Sequence, residues 1–135
     1  MRRYSLLASL VLVSVLAACG GGSGKPYTAA ASVSCFAKKG FTGVTTSAAK
    51  VGFIAGFSAN GGLQARSPSG NVLTVAFTES ADAVAGTENA YRKAAPSRLR
   101  PHMSDIMESQ GNAVLVWTVS PSQQELSDAE SCLES

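Results

Sequence analysis

The chain has 135 residues, 45% of them hydrophobic and 15% charged, with 11 basic and 9 acidic side chains. Arg2 and Arg3 carry the whole basic excess, so the remainder is neutral and lacks the basic surface that a nucleic-acid binder needs. A single histidine and no clustered carboxylates leave too few ligands for a metal site, and no cofactor is expected.

The chain opens with a short positive segment, Met1 to Ser5, followed by an apolar run from Leu6 to Leu16 and the small residues Ala17 and Ala18. This is the three-part pattern of a secretory signal. The run is about eleven residues, roughly 16 Å as a helix, too short for a hydrocarbon core about 30 Å thick. Leu16-Ala17-Ala18-Cys19 resembles the lipobox of bacterial lipoproteins. That resemblance implies cleavage between Ala18 and Cys19, removal of residues 1–18 as a signal peptide, a diacylglyceryl group on the Cys19 thiol, and in many bacteria a fatty acyl group (palmitate) on the new amino end. It also implies the membrane as partner, through Cys19, and a location on the extracytoplasmic side of the cell membrane. An ordinary secretory signal with a coincidental cysteine is the alternative.

Residues 19–26 read as a Gly/Ser-rich tether, flexible and spanning roughly 15 Å. Gly24-Lys25 is followed by Pro26 and sits in this tether, so it is not a phosphate-binding loop. With Cys19 given to lipid, Cys35 and Cys132 remain. Outside the cytoplasm such a pair forms a bridge, closing nearly a hundred residues. The chain-entropy account values that at roughly 4.7 kcal/mol, a large part of a typical total of about 5–15 kcal/mol. The alternative, a reactive or metal-binding pair, lacks a C-x-x-C pattern and nearby histidines.

From residue 27 to 135 the pattern predicts one extracytoplasmic domain. Thr28 caps a helix over Ala29–Lys39 that ends at Gly40. Phe41–Thr46 reads as a short strand. Ala48–Gly62 is ambiguous: Val51 to Phe57 is apolar throughout, but its glycines weaken both helix and strand, and it reads either as core or as an exposed patch. Leu63–Arg66 and Asn71–Thr78 form a hairpin around Ser67-Pro68-Ser69-Gly70. Ser80 caps a helix to about Ala95, stopped by Pro96. Met103–Glu108 and Ala113–Val119 form a second hairpin, and the doubly apolar run Ala113–Trp117 is placed centrally in the sheet. Ser120 caps the last helix, with Pro121 in its first turn and Gln123 completing a capping box. Leu126, Ala129, Cys132 and Leu133 share one face of it.

Two local groups bear on chemistry. Gly56-Phe57-Ser58-Ala59-Asn60-Gly61 misses the G-x-S-x-G nucleophile elbow by one residue. With His102 and Asp105, Ser58 makes a conceivable triad, against the plainer reading of two surface side chains. Arg92, Lys93, Arg98, Arg100 and His102 concentrate positive charge, either as a solvated helix end or as a surface for anionic headgroups or an acidic polymer.

The expected fold is α+β, a small antiparallel sheet of about four to five strands with helices packed on one face. In outline, Gly111-Asn112, Trp117, Pro121-Ser122 and Cys132-Leu133 resemble features of small uncharacterised bacterial envelope domains, a resemblance that carries no activity. The functional expectation is a membrane-anchored, non-enzymatic lipoprotein that binds a cell-envelope protein or surface polymer or serves as an accessory. The alternative is a small envelope hydrolase using Ser58 and His102.

Overall fold

The computed structural model describes residues 24–133. Thr28 is extended (φ −128°, ψ 151°), and its Oγ1 accepts the Ala31 N–H, which starts helix α1 (Ala29–Lys38). Strand β1 (Thr42–Thr45) follows. The ambiguous segment resolves into two single-turn helices, α2 (Ala48–Val51) and α3 (Phe53–Gly56), broken at Gly52, where φ is +85°. That value suits glycine and few other residues.

Strands β2 (Gly62–Arg66) and β3 (Val72–Phe77) form the first hairpin. A 3-10 turn at Ala81–Ala83 then leads into helix α4 (Val84–Ala94). Ser80 makes no side-chain cap bond, so the helix expected to begin at Ser80 enters through a tighter turn instead. A second 3-10 turn, Arg100–His102, runs into the short helix α5 (Met103–Ile106). The strand expected from Met103 therefore begins only at β4 (Met107–Gln110) and pairs with β5 (Ala113–Trp117). Helix α6 (Gln123–Ser131) is capped by Ser122, not Ser120, and its reciprocal box is closed by Glu125, not Gln123. Pro121 lies just outside the helix rather than in its first turn.

The fold class is α+β. All five strands pair antiparallel in the order β1-β2-β3-β5-β4, which puts the doubly apolar β5 inside the sheet, as its pattern requires. Register divides the side chains between two faces. Leu63, Ala65, Leu73, Val75, Phe77, Leu115 and Trp117 share one face, all buried. On that side Gln110 donates to the carbonyls of Glu130 and Leu133 at the end of α6, and Ala29 of α1 meets Gly61. Helices cover the sheet on the expected face, and the register adds a second covered face. There Ala55 of α3 lies so close to Gly62 that a Cβ would sit 2.6 Å from the Ala55 carbonyl oxygen, while α4 and α5 pack against β5.

Candidate functional site

On this second face the helices do not fill the space over the end of β5. Four elements leave a cavity of about 490 Å³ between them and the sheet. Val51 of α2, Phe53 and Ile54 of α3, Ala94 at the end of α4, and Met103 and Ile106 of α5 line it, over a floor at Val116. The local reason is the shortness of the covering helices. α2, α3 and α5 are single turns of four residues, and each presents one or two apolar side chains to the sheet rather than a continuous stripe. The wall carries no carboxylate, imidazole or thiol, so its chemistry is burial of apolar surface. Its volume falls within the range of small-molecule sites, roughly 300–1,000 Å³.

Part of the rim is apolar as well, and an exposed phenylalanine pair extends from it. Phe53 is 79% exposed and Phe57 76% exposed, with ring centroids 4.8 Å apart; Leu99, also on the wall, is 36% exposed. Beside Leu99 the Arg100 guanidinium donates from Nε to the Ala95 carbonyl at 3.0 Å and from one terminal nitrogen to the Lys93 carbonyl at 3.4 Å. It thereby serves the last carbonyls of α4, which lack helical partners of their own. Tyr91 also borders the cavity, and its hydroxyl is buried without a hydrogen-bond partner among the described residues. Burial pushes its pKa up to about 12, so it stays a neutral hydroxyl.

A smaller cavity of about 170 Å³ lies under α6, bordered by Glu108, Trp117, Pro121 and Leu126. Glu108 Oε1 and Trp117 Nε1 are both buried there without partners among the described residues. Burial, and secondarily the charge of Glu130, raise the Glu108 carboxyl above the usual carboxylate range.

The structure joins Cys35 of α1 to Cys132 just past α6 in a disulfide, with Cα atoms 5.4 Å apart. Cys19, Ala18 and the proposed cleavage point lie outside the described residues. Ser58 donates to the Ile54 carbonyl at 2.9 Å and lines a shallow cleft with Phe57, Thr78 and Glu79, which His102 does not border. His102 sits 3.5 Å from Asp105, and both side chains are more than 60% exposed. The run Val51 to Phe57 divides between the two readings offered for it: Val51 and Ala55 are core, while Phe53 and Phe57 face solvent.

Two side chains have anchoring roles that the sequence reading does not assign. Asn112, in the turn before β5, accepts the Tyr27 N–H at 2.7 Å and donates to the carbonyls of Tyr27 and Thr78. Glu125 is buried and accepts from Ser67, Ser69 and the Ser122 N–H. Burial pushes its pKa up, but these three donors outweigh it and hold the pKa at about 2. Ser122-x-x-Glu125 is itself a capping-box signature, but Pro121 favours a helix start two residues upstream on local rules. Comparison with protein-family models, with curated proteins and with solved structures gives no match to this chain.

Proposed function

We propose that this chain is a lipoprotein held by Cys19 on the extracytoplasmic side of the cell membrane, and that its folded part works by binding rather than catalysis. The observation that carries the binding role is the apolar cavity of about 490 Å³ over the end of β5, whose wall offers dispersion and burial but no nucleophile-base pair. Filling such a space returns the contacts that its lining side chains lack, so a small ligand with an apolar body is favoured. The membrane assignment rests on the lipobox-like Leu16-Ala17-Ala18-Cys19 and is in keeping with a disulfide-bonded domain, since such bridges persist in oxidising compartments.

Binding is tested with the neutral apolar dye N-phenyl-1-naphthylamine. Ala94 is solvent-exposed at the cavity edge, so Ala94→Trp puts bulk into the space without disturbing the core. The wild-type chain is expected to enhance dye fluorescence saturably and the variant to lose that response; equal responses refute the site. Attachment is tested by growing cells with labelled palmitate, where the wild type incorporates label and Cys19→Ser does not.

A further inference from the structure

Resting on the binding role just proposed, we infer that the occupant is a single-chain anionic amphiphile, its alkyl chain in the cavity and its acidic head at Arg98 and Arg100. Three features lead there. The wall is apolar except at Tyr91 and Thr118, so the body of the ligand is hydrocarbon. The cavity is open at a rim where Leu99 stands between two exposed arginines, and where Arg92 and Lys93 precede the lining residues Ala94 and Ala95. The Arg100 guanidinium is pinned at that rim by the Ala95 and Lys93 carbonyls, while its second terminal nitrogen has no partner among the described residues.

Cations outnumber acids next to the lining residues: Arg92, Lys93, Arg98 and Arg100 flank Ala94, Ala95 and Leu99. No acidic residue lines the cavity; Asp105, the nearest to Arg98 and Arg100 in sequence, pairs with His102, and Glu88 lies a turn before Arg92 on α4. A cationic head meets repulsion at this mouth. A neutral head gains the chain burial but no charge-assisted hydrogen bond, which is roughly twice as strong as a neutral one. The preference for an anion is therefore built into the residues around Leu99, and the preference for a chain into the helices α2 to α5.

The experiment uses the full chain immobilised on a sensor surface after detergent removal. Dodecanoate, 1-dodecanol and dodecyltrimethylammonium are passed over it below their micelle-forming concentrations. Dodecanoate is expected to bind at least tenfold more tightly than the alcohol, and the ammonium compound more weakly than either. Arg98→Gln with Arg100→Gln is expected to bring dodecanoate to the level of the alcohol. Because Arg100 also serves the end of α4, Arg98→Gln alone and the charge-keeping Arg100→Lys are measured alongside; the first reduces the preference and the second retains most of it. Equal binding of the acid and the alcohol, or a preference untouched in the double variant, overturns this inference and leaves the apolar site standing. Absence of binding by all three overturns both.

Discussion

Glu125, in the first turn of α6, accepts a hydrogen bond from Ser67, which lies 58 residues earlier in the β2–β3 turn. The same carboxylate accepts from Ser69 and from the Ser122 N–H, while Ser122 Oγ accepts the Glu125 N–H. A helix cap is thus fused to a hairpin turn on a distant part of the sheet, through one buried charge.

The fusion makes stability depend on acid. The folded-state pKa of Glu125, about 2, lies below its ordinary value near 4.3. Its contribution is therefore fully present above that ordinary value and is lost as the pH falls toward 2. Glu125→Gln keeps a capping side chain but removes the charge. We expect a loss of about 1–3 kcal/mol at pH 7 and a shallower decline of stability between about pH 4.5 and 2, read by urea unfolding across that range. A profile identical to wild type refutes the coupling.

Glu108 has the opposite sign. Burial and Glu130 raise its pKa, so its charged form is penalised in the folded state, and the associated stability is greatest in acid and declines as the pH rises through the folded-state value. Glu108→Gln should stabilise the protein at pH 7, by about 0.5 kcal/mol once solvent screening is allowed for, and should leave stability at pH 3 unchanged. Thermal melts at the two pH values check this, and a variant less stable at pH 7 contradicts it.

The Cys35–Cys132 bridge closes a loop with a separation of 97 residues. Replacing both cysteines with alanine should cost about 2–5 kcal/mol. The neighbouring Lys39–Asp128 contact at 3.8 Å, exposed at the lysine and half-buried at the aspartate, is worth at most about 1 kcal/mol and does not compensate. Mass analysis of the oxidised chain should show two hydrogens fewer than after reduction.

Gly111 has φ +56°, and a Cβ there would lie 2.5 Å from the Tyr27 ring. Asn112 beside it ties the Tyr27 backbone at both its N–H and its carbonyl. Gly111→Ala should cost about 1–3 kcal/mol through backbone strain and ring displacement, and Asn112→Ala a similar amount through unpaired backbone groups. The two losses should not add in the double variant, because both act on the same attachment; strict additivity argues against a shared attachment.

Much of the fold could be read from local rules. The Thr28 cap, both hairpins and the interior place of β5 followed from capping chemistry, turn residues and an apolar run without alternation. The rules failed where the partner was distant or the pattern misleading. In Val51 to Phe57 hydrophobicity alone favours burying the phenylalanines, yet Val51 and Ala55 are inside and both rings outside, because α3 approaches the sheet at Gly62 through its smallest side chain. At Met103–Ile106, where a strand is expected, Met103, Ile106 and Met107 recur at helical spacing, and Pro101 in the preceding 3-10 turn starts the segment as a helix. The cavity has no local signature. It is the space left when two stretches of the chain, residues 48–56 and 84–106, meet over Val116, and the arginines at its rim read equally well as an ordinary helix end until Leu99 is seen on the wall.

Asn112 grips the incoming chain at one end of β5, and the cavity lies over Val116 and Trp117 at the other, five residues along, or about 17 Å. Between them runs an interior strand paired on both sides, a stiff spar rather than a hinge. Gly24, the first described residue, lies beside Gly111 and Asn112 at the foot of that spar, so the cavity and the start of the described chain sit at opposite ends of one rigid strand.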